Sequence, residues 1–408
     1  MKPLASSMIP LLVATVFLTT ASAQTMPASP ELSLKRFHER ALAREPLNVV
    51  FFGGSLTWGA NASDPQITSY RGLMTQWLRE KYPSTAITFY DAAIGGTGSQ
   101  LGMFRLDRDV LSRKPDLVFL DFTVNDWAEG TDQQTLGSYE RILRELLANR
   151  AMVMPVFMMF RGHAEKPEAP LPARHQAHLK LAEAYSLPSA NTVPYVLEKI
   201  RAGADIKTLW PWDAAHPDDP GYRLFFECVR DRYEQAIKVD APATVPEKTV
   251  FEDLYPKRTR LTLADRHLPG GWTREKTRRT SLWFDGLSSR WMGDVACATA
   301  ANKPQALEVG FEGSMVGFFG EHDGLTPPVK VWIDGKPIPE PGAKEKNFVW
   351  QLDTIRFAPP KKGSGNLFMW QAVANDLTDG KHTLRIEPVW EGKEKGELRI
   401  ESICSAGR

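Results

Sequence analysis

From Leu47 to about Ile237 short apolar runs alternate with longer amphipathic stretches. Asn48–Phe52 is the first run, and a helical pattern over Ser69–Lys81 follows it. Ile87–Ala93 and Leu117–Phe122 read as the next two strands, the latter introduced by Lys114-Pro115-Asp116. Asp132–Asn149 places Leu136, Tyr139, Ile142, Leu143, Leu146 and Leu147 at helical spacing. Ala151–Phe160 is continuously apolar, the pattern of a strand buried on both faces. A further helix covers about Ala173–Tyr185, and another runs from Pro217 at its first position to Ile237. Strands separated by helices imply right-handed crossovers, hence an α/β fold with a mostly parallel sheet between two helical layers.

Val239–Glu247, with Pro242 and Pro246, breaks this pattern. Beyond Val250 the chain turns to short β-rich runs: Leu282–Phe284, Met315–Phe319, Val329–Ile333, Phe348–Leu352, Leu367–Val373, His382–Glu387 and Leu398–Ile403. Turn signals such as Asp334-Gly335 and Asp379-Gly380 separate them, which predicts an all-β sandwich or jelly-roll. The expected organisation is an α/β domain over 24–240, a linker over 241–250 and a β domain over 251–408.

Residues 1–23 stand apart. Lys2 precedes an apolar stretch from Met8 to Phe17, and Ala21-Ser22-Ala23 supplies small residues before Gln24. That order predicts a signal peptide cleaved near Ala23, and so a secreted or periplasmic protein with no stable membrane insertion. A net charge of +1 gives no reason to expect a nucleic acid partner. The three cysteines exclude a fully paired disulfide framework, leaving Cys297 and Cys404 as the pair to check.

The candidate chemistry sits where the strands end. Ser55 follows two glycines at the carboxyl edge of the first strand, in Phe-Phe-Gly-Gly-Ser-Leu-Thr-Trp-Gly. A serine hydroxyl needs a positioned base. His216 is the candidate, with Asp213 three residues earlier to fix its tautomer. Gly96 lies in Ile-Gly-Gly-Thr-Gly and Asn125 in Phe-Thr-Val-Asn-Asp. These four blocks, in this order, resemble the SGNH hydrolase superfamily, the GDSL-like esterases. The resemblance implies a flavodoxin-like three-layer α/β/α fold over roughly the first 240 residues, a Ser55–His216–Asp213 triad and no cofactor or metal. It also implies an oxyanion hole made by the N–H of Ser55, the N–H of Gly96 and the Asn125 side chain. Two positions depart from the family pattern. Gly54 replaces the aspartate of Gly-Asp-Ser, and Thr123 replaces a glycine two residues before the asparagine.

Trp58, Trp127 and Trp212 each lie within three residues of a proposed site residue, where an aromatic face suits a sugar ring or an acyl group, and packing is the alternative. His163 follows the Ala151–Phe160 run and is expected at the site's edge, whereas His175 and His178 read as a solvated helix face. The Lys257–Arg279 stretch, with eight Lys and Arg, reads as solvated surface. Asn61-Ala62-Ser63 is formally a glycosylation sequon. The α/β-hydrolase Gly-x-Ser-x-Gly signature does not surround Ser55, and Leu101 breaks the dinucleotide fingerprint begun at Gly96. The expected activity is a secreted serine esterase removing O-acyl, chiefly O-acetyl, groups from a polysaccharide or oligosaccharide. A lipase, lysophospholipase or thioesterase with the same triad and a non-catalytic glycan-binding protein are the alternatives.

Overall fold

The computed structural model describes residues 32–126, 133–253, 255–278, 281–282, 286–287, 291–341, 346–352 and 367–408. The expected signal peptide and Trp127 lie outside them, as does most of the expected strand Leu282–Phe284. Helix α1 (Leu34–Leu42) leads into strand β1 (Leu47–Gly53), the one-turn helix α2 (Ser55–Trp58) and helix α3 (Tyr70–Lys81). Strand β2 (Ile87–Ala93), helix α4 (Ser99–Asp109), strand β3 (Leu117–Asp121), helix α5 (Gln133–Ala148) and strand β4 (Met152–Phe157) follow. Helices α6 (Arg161–Glu165) and α7 (Ala173–Ala184) precede the two-residue strand β5 (Ala190–Asn191). Helices α8 (Thr192–Arg201), α9 (Ile206–Leu209) and α10 (Asp219–Ala236) complete this half.

All five strands are parallel, in the order β2-β1-β3-β4-β5. This is the flavodoxin-like order, whose ligand crevice opens beyond the strand ends where the winding reverses, between β1 and β3. Every residue of β3 and β4 is buried, which accounts for their unbroken apolar sequences. Helices α3 and α8 pack against α10, and α4 and α7 against α5, giving the two helical layers. Local sequence sets the helix starts. Ser69 Oγ accepts the Gly72 N–H at 3.1 Å to cap α3. Helix α10 begins two residues later than Pro217 because the Asp218 carboxylate caps it, accepting the Asp219 N–H at 2.9 Å.

The second half is antiparallel. Its strands are β6 (Lys257–Thr262), β7 (Trp272–Glu275), β8 (Ser281–Leu282), β9 (Gly286–Leu287), β10 (Val295–Thr299) and β11 (Leu307–Glu312). They continue with β12 (Met315–His322), β13 (Val329–Ile333), β14 (Lys336–Pro337), β15 (Leu367–Ala374), β16 (Lys381–Pro388) and β17 (Glu397–Gly407). One sheet runs β15-β12-β17-β10-β7 with β6 also paired to β17, and a second runs β11-β16-β13-β14. Val316 and Phe318 of β12, Val329 and Val331 of β13, and Leu384 and Ile386 of β16 share one core between the sheets. The expected strand at Phe348–Leu352 is reduced to a single bridge, Trp350 to Val329.

The first of these sheets is buried on its other face as well. Met315, Phe319, Cys404 and Ala406 join the core of the α/β half, and the Trp370 ring lies 5.5 Å from that of Phe104 on α4. Helix α4 is therefore covered on both sides, and eight of its eleven residues are buried. The basic stretch is not simply solvated. The Arg258 and Arg260 side chains are each 10% exposed, and Arg258 reaches Asp107 of α4 at 2.7 Å while Arg260 pairs with Glu401 at 2.9 Å. Lys276 at 87% and Arg274 at 56% side-chain exposure do face solvent. Cys228, Cys297 and Cys404 are free and buried, so Cys297 and Cys404 do not pair.

The segment expected as a linker is strapped down. The Ala243 N–H donates to Leu32 O at 2.7 Å and the Thr244 N–H to Tyr185 O at 3.0 Å. Buried Glu140 of α5 then accepts the N–H groups of Val250 and Phe251 at 2.8 and 2.7 Å and the Tyr185 hydroxyl at 2.6 Å. Glu140→Ala leaves these donors unmatched, and we expect a loss of about 3 kcal/mol in urea unfolding. Faster protease cleavage within 241–256 should accompany it.

Candidate active site

Strand β1 ends at Gly53 and the chain turns at once into α2, whose first residue is Ser55. The turn is tight. A Cβ on Gly53 would stand 2.4 Å from both Asp121 O and Thr57 Oγ1, and one on Gly54 would stand 2.1 Å from Asn125 Oδ1 and 3.5 Å from Thr97 O. The loops after β1, β2 and β3 thus converge around Gly54. A side chain at position 54 would require the Asn125 side chain to take another position, so the glycine and the asparagine orientation go together here.

Ser55 Oγ lies 2.8 Å from His216 Nε2, and His216 Nδ1 lies 3.0 Å from Asp213 Oδ2. With Nδ1–H donating to the carboxylate, Nε2 is left to accept the serine proton. The other carboxylate oxygen, Asp213 Oδ1, accepts the N–H groups of Ala215 and His216, both at 2.7 Å. This is the Asx geometry that a short Asp-x-x-His segment allows. Burial works to raise the Asp213 carboxyl, but the hydrogen bonds and charge interaction with His216 and the Ala215 N–H outweigh it, holding the group well below the usual carboxylate range.

Sequence reasoning missed one member of this group. Asn61 Nδ2 donates to Asp213 Oδ2 at 3.0 Å and to His216 O at 3.3 Å, across more than 150 residues of chain. Its backbone is left-handed, with φ of 69°, a conformation asparagine accepts more readily than most residues. Only its place shortly after the serine block hinted at a role.

Gly96 sits in the turn closed by the Thr97 hydroxyl on Ile94 O at 2.8 Å, with φ of 74°, a backbone state that favours glycine. Asn125 sits in the turn after β3, where the N–H groups of Asn125 and Asp126 donate to Phe122 O at 3.0 and 2.8 Å. Trp58 is half-buried at the end of α2, and Trp212 is 74% exposed beside Asp213. His163 is half-buried on α6, a helix linked to the triad segment by the Arg161 N–H on Ala214 O at 2.9 Å. Its Nδ1 accepts the Phe160 N–H at 3.0 Å, so that nitrogen faces its own helix start.

His175 and His178 are fully buried, not solvated. Helix α7 turns them toward the sheet, where both rings lie near Phe157. Among the described residues no group of three or more His, Cys, Asp or Glu is placed to hold a metal ion. Beneath the serine loop, fully buried Asp121 accepts the Thr123 N–H at 3.1 Å and the Thr57 hydroxyl at 3.4 Å. Burial pushes its carboxyl up to about 7.

Residues 51–224 match the family model described as GDSL-like Lipase/Acylhydrolase family. No curated protein sequence matches the chain. Among solved structures, a two-domain esterase active on acetylated mannans, co-crystallized with mannopentaose, aligns at a TM-score of 0.71 and 21% identity, over 92% of this chain and 94% of the other. A structure of a two-domain esterase of the same description without that ligand gives 0.70 and 22%, over 92% and 95%. Both share the fold, including the β half.

Two outcomes are expected. Asn61→Ala should lower kcat for ester hydrolysis by about tenfold with little change in KM, because a hydrogen bond to the charged Asp213 is lost. Asp121 binds its proton more tightly folded than unfolded, so its contribution falls as pH rises from the unfolded value near 4 through 7. Asp121→Asn should therefore raise the melting temperature relative to the parent more at pH 8.5 than at pH 5.

Proposed function

We propose that this chain, whose α/β half belongs to the GDSL-like lipase/acylhydrolase family, is an exported serine esterase that removes acetyl groups from a polysaccharide or oligosaccharide. The observation that carries the chemistry is the continuous hydrogen-bonded line from Ser55 Oγ through His216 to Asp213. Ser55 Oγ attacks the ester carbonyl as its proton passes to His216 Nε2. The oxyanion that forms is met by the N–H groups of Ser55 and Gly96 and by the Asn125 amide. Collapse breaks the ester C–O bond, and the departing sugar oxygen takes the proton from His216. Water then attacks the acetyl-enzyme, His216 receives its proton and returns it to Ser55 Oγ, and acetate leaves.

Support for a carbohydrate comes from the exposed Trp212 beside the triad, a flat apolar face suited to a sugar ring. The shared two-domain architecture with an esterase active on acetylated mannans points the same way. Export is supported by the charged, apolar and small-residue order of residues 1–23.

The test is hydrolysis of p-nitrophenyl esters from acetyl to palmitoyl, followed by acetate release from acetylated glycans. Activity falling steeply with chain length, and reduced at least 10³-fold in Ser55→Ala, is expected. A long-chain preference would replace the glycan reading with a lipase or thioesterase. Full activity in Ser55→Ala would sink the mechanism.

A further inference from the structure

We infer that Asp126 and His178 form a second, buried acid–imidazole pair that positions the oxyanion side of the site, Asn125 and the Gly96–Gly98 loop. The inference rests on the reading of Ser55 as nucleophile and Asn125 as a donor to the oxyanion. Asp126 directly follows Asn125 and is buried, as is His178. Its Oδ1 accepts the Ser99 N–H at 2.7 Å, tying the turn after β3 to the first residue of α4, three positions beyond Gly96. A Cβ on Gly98 would lie 2.7 Å from that same oxygen, so the glycine is what lets the two loops close on one carboxylate.

The second oxygen, Asp126 Oδ2, lies 3.2 Å from His178 Nε2. The two atoms are near neighbours without an aligned hydrogen bond, since neither has a hydrogen-bond partner among the described residues, so they meet as charge and dipole at short range in a buried space. A buried carboxylate oxygen with no polar group beside it would be strongly disfavoured there. On its other side, His178 Nδ1 stands 3.3 Å from Thr123 Oγ1. Arg174, one turn earlier on α7, donates its Nε–H to Thr123 O at 2.9 Å. Helix α7 therefore grips both ends of the Thr123–Asp126 turn, and Asn125 lies between the two grips. The Tyr139 ring stacks on the imidazole, 3.8 Å between centroids and 17° between planes, which fixes its orientation.

Thr123, a departure from the family's glycine, gains a purpose here, since its hydroxyl is one of the two atoms that His178 spans. His178 touches no reacting atom and is a positioning residue. A donor displaced by about an ångström costs on the order of 10²-fold in rate, so the pair should register in kcat and not in KM.

The experiment compares His178→Leu, His178→Gln, Thr123→Val and Ser55→Ala with the parent full chain, recording kcat and KM on p-nitrophenyl acetate and the thermal midpoint. His178→Leu is expected to lose 10- to 100-fold in kcat with KM within twofold. His178→Gln, whose amide N–H still reaches toward Asp126, is expected to recover most of that loss. Thr123→Val, which replaces the hydroxyl facing His178 Nδ1 with a methyl group of similar size, is expected to lose a few-fold in kcat at a nearly unchanged midpoint, and it carries the test if His178→Leu does not fold. Unchanged kcat in the folded variants overturns the inference while the esterase reading stands. So does a kcat loss that follows the midpoint with no rescue by glutamine. Hydrolysis that survives in Ser55→Ala overturns the esterase reading instead.

Discussion

A buried guanidinium fixes the strand ends on which the site is built. Arg105, on α4, donates from Nη1 to Ala92 O at 2.7 Å and from Nη2 to Gly53 O at 3.1 Å. The last residue of β1 and the last but one of β2 are thereby tied to one side chain, and the Ile94 N–H adds a third bond at 3.0 Å to Gly53 O. Burying this charge costs several kcal/mol unless it is matched. Asp109, one helical turn along, matches it at 3.2 Å, and the Phe52 ring lies 4.6 Å from the guanidinium carbon. Ser55 leaves one of the clamped ends and the Gly96 loop leaves the other, so their separation is set from below.

The β half completes this support. Helix α4 carries Arg105 inward and Phe104 and Asp107 outward, toward Trp370 and Arg258. Without the β half, the outward face of α4 would meet water, and the carbonyl clamp would rest on a helix covered on one side only. Gln100, near the start of α4, shares this arrangement by accepting the Trp370 indole N–H at 3.3 Å. The second domain is in this sense part of the foundation of the site as well as a neighbour of it.

What was legible in the sequence follows from how each element is buried. Strands β3 and β4, covered on both faces, announced themselves as apolar runs, and α5, covered on one, as a 3.6-residue period. Helix α4 did not, because a helix covered from both sides has no polar stripe and its interior includes Arg105 and Asp109. Strand β6 was hidden for a related reason, as its arginines are consumed in ion pairs with α4 and β17. Ser55, His216 and Asp213 were legible because their blocks lie at strand ends in a fixed order. Asn61 and His178 were not. Each acts through a contact spanning tens of residues or more, Asn61 to Asp213 and His178 to Asp126, which no local pattern records.

The Asn61 amide has one further consequence, for the choice of host in which the protein is made. The nitrogen to which an oligosaccharyltransferase would join a glycan in Asn61-Ala62-Ser63 is the same Nδ2 that donates to Asp213 and to His216 O. A glycan is attached before the fold closes, and a substituted amide keeps only one N–H, so it cannot donate to both the carboxylate and the carbonyl. Secretion through a glycosylating pathway therefore sets sugar attachment against one of the two bonds that hold the Asp213–His216 segment.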